Sequence, residues 1–162
     1  MNRVALFLFL LMLVAALGGC DGPQADSPGE ARIRIGGSVT YSVDVADDAE
    51  ERRQGLSGRE TMARNTGMLF VFEEEQPRHF WMKDMRFPLD IIWIDGQCRL
   101  VDVASDVPVP PPNADNDQIP RAQSPSPARY VLELNAGEWA RAGLSPGDPV
   151  EFLGAIEGQY GC

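Results

Sequence analysis

The chain is poor in the residues that most catalytic and metal sites use. Its 162 residues include one histidine, His79, one lysine, Lys83, and three cysteines. A Ser-His-Asp or Cys-His arrangement would have to use His79, and the sequence has neither a Gly-x-Ser-x-Gly motif nor a Walker loop. The soft ligands His79, Met82 and Met85 have a spacing of three, which places successive residues on opposite faces of a strand. The sequence therefore predicts no metal site and no cofactor.

Positive charge is also scarce. Lys and Arg number 14 against 24 Asp and Glu, which gives a formal net charge of −10. Binding to a nucleic-acid backbone needs clustered Lys and Arg, so nucleic acid is not expected as a partner. A hydrophobic content of 44%, with 16 glycines and 13 prolines, is typical of one globular, turn-rich domain.

The N-terminus has the pattern of a secretory signal. Arg3 precedes an apolar run over residues 4–17, which is shorter than the roughly 20 residues that a spanning helix needs. We predict a signal peptide over residues 1–19 and a flexible tether over residues 20–31. The folded domain is then expected over residues 32–162.

The end of this signal carries a further resemblance. Leu17-Gly18-Gly19-Cys20 resembles the bacterial lipobox, which implies that Cys20 is lipidated and anchors the protein to a membrane. The alternative is an ordinary signal peptide that contains a cysteine. Asp21 resembles the inner-membrane retention signal of enteric lipoproteins. The expected location is the cell envelope, facing the periplasm.

Two cysteines remain outside the signal. Cys98 and Cys162 would lie in a compartment that permits disulfides, and a bond between them would hold the C-terminus against the middle of the chain. The alternative is two unrelated thiols.

Short apolar or alternating segments predict many strands. They are residues 32–35, 39–45, 68–72, 79–85, 89–94, 100–103, 130–134 and 150–153. Asp47 and Glu50 have the spacing of a capping box for a helix over residues 48–54, and a second short helix is expected within residues 136–142. This predicts a mainly β fold, a compact antiparallel β-sandwich or barrel with one or two short helices. Residues 104–127 contain seven prolines and predict a long surface loop.

A set of motifs resembles a known family. They are Glu51-Arg52-x-x-Gly55-Leu56-x-Gly58-Arg59, Gly67-Met68-Leu69-Phe70-Val71-Phe72, Phe80-Trp81-Met82-Lys83-Asp84-Met85-x-x-Pro88-Leu89-Asp90-Ile91-Ile92-Trp93-Ile94-Asp95, Ala128-Arg129-Tyr130-Val131-Leu132-Glu133-Leu134-x-Ala136-Gly137 and Gly143-Leu144-x-x-Gly147-Asp148-x-Val150. In this order they resemble the DUF192 (UPF0127) family over residues 39–152. The resemblance implies a compact, mainly β protein and leaves the activity open, because the family has none established. Asp84 stands where many members have Asn.

The tryptophan-lysine block holds the first candidate site. In a strand, His79, Trp81 and Lys83 share one face, and a histidine, an indole and an ammonium group together suit a sugar or an anionic group. Arg59 is expected at the margin of this site and Asp84 beside it. The alternative is that Lys83 covers Trp81 on an ordinary surface, or that Trp81 belongs to the core.

Two carboxylates interrupt apolar strands. Asp90 lies among Leu89, Ile91 and Ile92, and Glu133 lies inside a similar run. Because a buried charge is costly unless it is paired, we expect Asp90 to be buried against a cation such as Lys83, Arg86 or Arg59. Asp90 and Glu133 are also the pair that could serve as acid and base, as in glycoside hydrolysis.

Three functions remain open from the sequence. The first is a lipid-anchored, non-catalytic module that binds a small molecule or glycan of the cell envelope. The second is a hydrolase that uses Asp90 or Glu133. The third is an envelope assembly or scaffold protein that contacts a partner through the proline-rich loop.

Overall fold

A computed structural model of the chain describes residues 29–162. The predicted signal peptide, the lipidation site Cys20, Asp21 and most of the predicted tether lie outside the described residues. The elements are β1 (Ala31–Ile35), β2 (Val39–Ala46), α1 (Ala49–Gln54), β3 (Thr66–Gln76), β4 (His79–Trp81), β5 (Leu89–Ile94), β6 (Leu100–Val107), β7 (Arg121–Gln123), β8 (Ala128–Asn135), α2 (Glu138–Ala142) and β9 (Val150–Gly154).

Seven strands form one sheet in the order β6-β5-β8-β3-β2-β1-β9, and β4 pairs with β7 in a small second sheet. The prediction of a mainly β fold with two short helices is confirmed. One pair departs from the antiparallel expectation, because β2 and β3 run parallel. Parallel neighbours need a crossover connection, and the segment that contains α1 supplies it.

The large sheet curls without closing into a barrel within the described residues. At one end its two edge strands meet, where Arg99 pairs with Pro149 in an isolated bridge. Cys98, next to this bridge, is bonded to Cys162 with their Cα atoms 5.5 Å apart. The disulfide therefore holds the C-terminal segment at the end of the sheet where the edges converge.

Both faces of the sheet are covered, and each has its own apolar cluster. In β5, Ile92 and Ile94 belong to one cluster, while Ile91 and Trp93 belong to the other. This alternation explains the uninterrupted apolar runs of β5 and β8, since a strand buried on both faces has no polar side. The face that contains Ile91 carries α1 and the small sheet, and we call it the site face.

Helix α1 begins one residue later than the sequence predicts. The side chain of Asp48, rather than Asp47, accepts hydrogen bonds from the backbone N–H groups of Glu50 and Glu51, both at 2.8 Å. The helix ends at Gly55, whose φ of 48° and close approach to the Phe70 ring leave little room for a side chain. The end of α1 is thereby held close against β3.

The proline-rich loop is shorter than expected. Strand β6 continues to Val107, and β7 lies inside the predicted loop, so that residues 108–120 form the connection. Strand β7 and the last residues of β6 lie at sheet edges, where most of their side chains are exposed. Such strands need no alternation of apolar and polar residues. For this reason the sequence pattern did not reveal them.

Candidate functional site

Trp81 lies at the surface on the site face. Its two neighbours in the chain point inward: Met82 is buried, and the Phe80 ring packs edge-on against Phe70 with ring centroids 5.0 Å apart. Because side chains alternate along a strand, Trp81 points outward and is 47% exposed. The alternative in which Trp81 is a core residue is therefore wrong.

Lys83 lies over the indole, outside the strand. Strand β4 ends at Trp81, and the chain turns so that Met85 N–H donates to the carbonyl of Met82. Asp84 occupies the left-handed region in this turn, with φ of 57°. The turn leaves the Lys83 ammonium 5.1 Å from the centre of the Trp81 ring, which is within cation–π range.

A groove of about 910 Å³ opens beside Trp81, and we call it the basic groove. It is lined by Arg53, Gln54, Ser57, Gly58, Trp81, Lys83, Asp84, Met85 and Arg86. Two hydrogen bonds join its walls, since Ser57 Oγ donates to the Lys83 carbonyl and Gly58 N–H donates to the Asp84 carbonyl, both at 3.0 Å. Its size falls in the range of small-molecule sites.

The groove concentrates positive charge on an acidic protein. Arg53, Lys83 and Arg86 line it, and Asp84 is the one carboxylate among its lining residues. Arg86 Nη1 also lies 2.8 Å from a carboxylate oxygen of Glu60. The exposed Arg121 of β7 stands opposite Trp81 in the small sheet and adds a cation at this end. The charge around the groove is therefore positive and favours an anionic ligand, although the chain as a whole has a net charge of −10.

A second, small cavity adjoins the groove, and we call it the floor cavity. Its volume is about 40 Å³, and its walls include Trp81, Phe80, Phe70, Arg53 and Glu133. It shares Arg53, Gln54, Ser57, Trp81 and Met85 with the basic groove. Glu133 therefore lines a cavity that adjoins the groove that Trp81 borders.

Glu133 is an unusual group to find there. It is 6% exposed, and no group among residues 29–162 forms a hydrogen bond or an ion pair with its carboxyl oxygens. Burial without a partner raises the pKa of Glu133 from 4.5 to about 8, because removal from water disfavours the charged form. At neutral pH the side chain is largely a neutral carboxylic acid, which can both donate and accept a hydrogen bond.

Asp90 is buried as predicted, but its predicted cation partner is wrong. One carboxylate oxygen accepts from the backbone N–H of Asp106 at 2.9 Å, and the other accepts from that of Trp139 at 2.8 Å. Two backbone donors satisfy the carboxylate in place of an arginine or lysine.

The predicted acid and base pair does not form. Asp90 and Ile91 are adjacent in β5, and Ile91 stands opposite Glu133 in β8. Since side chains alternate across a sheet, Glu133 lies on the site face and Asp90 on the opposite face. The sheet itself separates the two carboxylates, so a glycosidase-like pair of these residues is ruled out.

Two other predicted residues lie outside the groove lining. Arg59 forms an ion pair of 2.6 Å with Asp44 of β2 and is not among the residues that line the groove. His79 is exposed and stands opposite Gln123 in the small sheet, two residues before Trp81. The structure thus gathers Trp81, Lys83, Asp84 and Glu133 from the predicted set.

Arg53, Ser57 and Arg86 line the groove but were not predicted as site residues. Arg53 belongs to the helix that ends beside β3, and Ser57 follows in the turn after it. Arg53 stands two residues before Gly55, which ends the helix, and this position was the one available signal in the sequence. Only the crossover between β2 and β3 shows that this helix end faces Trp81.

Within residues 29–162, no three His, Cys, Asp or Glu side chains come together as metal ligands. None of the helices in that range is long and apolar enough to cross a membrane.

Fold and site together define a small, mainly β protein with an aromatic, basic groove. Residues 31–152 match the family DUF192, described as "Uncharacterized ACR, COG1430". The chain belongs to this family.

Two solved structures are similar to the chain. The first, a "putative transcription regulator" from Sinorhizobium meliloti 1021, shares 36% sequence identity with a TM-score of 0.66, over 76% of this chain and 94% of that one. The second, a protein of unknown function from Novosphingobium aromaticivorans DSM 12444, shares 28% identity with a TM-score of 0.64, over 74% of this chain and 83% of that one. No functionally curated protein matches the chain.

Proposed function

We propose that this protein is a lipid-anchored component of the cell envelope that binds a small anionic or sugar ligand in the basic groove, without catalysis. The observation that carries the proposal is Trp81, a large aromatic side chain left 47% exposed at the edge of a groove and covered by Lys83. An indole stacks on a sugar ring, while a cation beside it fixes the orientation of an anionic group.

The charge of the groove supports an anionic ligand. The chain carries a formal charge of −10, yet Arg53, Lys83 and Arg86 meet around one cavity. Charges more than about 8–10 Å away are largely screened at physiological salt, so the nearby cations outweigh the distant carboxylates. Binding to the groove should accordingly weaken as salt is added.

The anchor is the second part of the proposal. It is supported by the lipobox-like Leu17-Gly18-Gly19-Cys20 at the end of an apolar run. An acyl chain on Cys20, followed by a polar segment, would hold the domain near the membrane surface while the groove stays open to the periplasm.

The test is to identify the ligand that the full-length protein retains on purification. We expect native mass spectrometry to show a bound small molecule in the wild type, none in Trp81→Ala and a reduced fraction in Lys83→Met. Arg34→Met is the matched control, because Arg34 pairs with Glu151 in the β1–β9 part of the sheet. Equal occupancy in a folded Trp81→Ala variant would contradict the proposal and favour a contact through residues 108–120 instead.

A further inference from the structure

We propose that the ligand is an acidic sugar, which stacks on Trp81, places its anionic group among the groove cations and inserts one hydroxyl group into the floor cavity to bond with Glu133. This inference rests on the proposed function and names the chemical class of its ligand. It adds Glu133 as a residue that determines specificity.

The size of the floor cavity sets what can enter it. A cavity of about 40 Å³ exceeds the roughly 10–15 Å³ of probe volume that one water molecule needs. A single hydroxyl group fits such a space, and the basic groove, at about 910 Å³, offers the room for a sugar ring. The bulk of the ligand must therefore stay in the groove above.

The state of Glu133 points to a ligand group as its partner. A buried polar group is ordinarily hydrogen-bonded, and one left alone costs free energy. Glu133 has no partner among residues 29–162, although its side chain lines a cavity that adjoins an open groove. A hydroxyl group can accept a hydrogen bond from the neutral acid and donate one in return, which satisfies both polar atoms of the carboxyl group.

The walls of the floor cavity differ in composition from those of the basic groove. Phe70, Phe80 and Met85 contribute apolar surface, while Arg52 and Arg53 are the charged residues that face the space from α1. Lys83 and Arg86 line the basic groove and are absent from the lining of the floor cavity. The arrangement therefore separates a site for the anionic group, near solvent, from a site for a neutral polar group below.

Trp81 joins the two sites because it borders both. Its side chain lines the basic groove and the floor cavity alike. A pyranose ring that stacks on the indole carries hydroxyl groups around its rim, so one can point into the floor cavity while a carboxylate on another carbon remains in the groove. A flexible aliphatic acid lacks this rigid spacing.

The experiment measures calorimetric binding of three probes to the full-length protein: glucuronate, glucose and acetate. Glucuronate has both the ring and the charge, glucose lacks the charge, and acetate lacks the ring and its hydroxyl groups. We expect glucuronate to bind at least about tenfold more tightly than either control, since each control loses one set of contacts. A uronate trisaccharide, measured alongside, shows whether a polymer is preferred to the free sugar.

Two variants then test Glu133 itself. Glu133→Gln keeps one donor and one acceptor and should bind glucuronate within about threefold of the wild type, whereas Glu133→Leu should weaken binding about tenfold or more. Thermal melting of each variant shows that the comparison is made on folded protein. Glucuronate affinity that is unchanged in folded Glu133→Leu overturns the hydroxyl insertion.

The outcomes separate this inference from the proposed function. If Trp81→Ala loses glucuronate while Glu133→Leu keeps it, the groove binds but the floor cavity does not take part. If acetate binds as tightly as glucuronate, the groove is a simple anion site and the sugar is wrong. If no probe binds while a co-purified ligand is still lost in Trp81→Ala, the ligand class is wrong and the groove remains the site.

Discussion

Glu133 links the chemistry of the site to the stability of the fold. The folded protein holds its pKa at about 8, against 4.5 for the ordinary group, because the side chain is buried without a partner. Between pH 4.5 and about pH 8, the Glu133 carboxyl group is ionised in the unfolded chain and protonated in the folded chain. The Glu133 contribution to the free energy of unfolding therefore falls as pH rises through this window, by up to about 1.4 kcal/mol per pH unit.

This effect can be measured with Glu133→Gln, which does not titrate. Urea unfolding at pH 5 and pH 8 should show the wild type losing stability relative to the variant, by on the order of 3 kcal/mol over this interval. All other titrating groups are common to both proteins and cancel in the difference. Parallel pH profiles of wild type and Glu133→Gln would show that Glu133 ionises as freely in the folded protein as in the unfolded chain.

Lys83 and Trp81 contribute to binding in different ways. Trp81→Ala removes an exposed side chain, so its cost in stability should stay below about 1 kcal/mol while binding is lost. Lys83→Met keeps much of the side-chain volume and removes the charge, so it should weaken binding and flatten its salt dependence. Ligand titrations at 50 and 500 mM salt check both variants. A loss of about 3–5 kcal/mol in Trp81→Ala would mean that Trp81 acts as a core residue.

Asp90 acts at the level of the elements, because it joins three of them. It belongs to β5, and it accepts hydrogen bonds from Asp106 in β6 and from Trp139 in α2. Helix α2 begins after Gly137, which has no side chain to cap it. Asp90 supplies that cap from another strand and also satisfies the backbone at Asp106, whose φ is 52°.

Replacing this carboxylate should loosen the fold without touching the groove. Asp90→Ala leaves two backbone N–H groups without their acceptor, and we expect it to lower the free energy of unfolding by about 2–4 kcal/mol. Asp90→Asn is the matched control, since its amide oxygen still accepts one of the two bonds, and it should cost less. Urea unfolding measures both variants. A stable Asp90→Ala protein that no longer retains its ligand would assign Asp90 to the site after all.

The elements themselves were largely predictable from local patterns. Period-two alternation and apolar runs located most strands of the large sheet, and a capping pattern located α1 within one residue. The short strand β7 and the end of β6 were not predictable, because edge strands with exposed side chains carry no hydrophobic signal. The turn at Asp84 interrupted a segment that read as one continuous strand over residues 79–85.

At the scale of the molecule, the disulfide holds the last residues against the sheet. The Tyr130 hydroxyl donates to the carbonyl of Tyr160 at 2.5 Å, and Ile156 packs in the cluster on the face opposite the groove. A bond between Cys98 and Cys162 closes a long loop in the unfolded chain, so it should stabilise the fold by about 4 kcal/mol on the loop-entropy account.

Reduction tests this contribution. Dithiothreitol should lower the midpoint of urea unfolding in the wild type, and it should have no effect on Cys162→Ser, which starts at the lower value. Binding to the groove should survive reduction because the disulfide lies at the other end of the sheet. Equal midpoints with and without dithiothreitol would show that the disulfide adds nothing to stability.

The anchor is likewise a property of the whole chain. Cys20→Ser should move the protein from the membrane fraction to the soluble fraction of the cell, because the acyl chain is the expected attachment. Fractionation in high salt removes electrostatic association and serves as the control. A correctly processed Cys20→Ser protein that still pellets with membranes would show a different attachment.

The site was only partly predictable because it forms between distant segments. The pattern of alternation identified Trp81, and the cost of burying a carboxylate identified Glu133 as unusual. No sequence pattern indicated that the end of α1 would bring Arg53 beside Trp81, or that the sheet would separate Asp90 from Glu133. Those facts follow from the parallel pairing of β2 with β3 and from the register of β5 with β8.

Ligand binding in the groove beside Trp81 can be followed through the indole N–H resonances of the protein. The chain has three tryptophans, of which Trp93 is buried in the core and Trp139 lies in α2. In an NMR titration of the full-length protein with glucuronate, assigned by Trp81→Phe, we predict a saturable shift of the Trp81 indole while the other two stay in place. A Trp81 resonance that does not move, under conditions where calorimetry detects binding, would show that the ligand binds outside this groove.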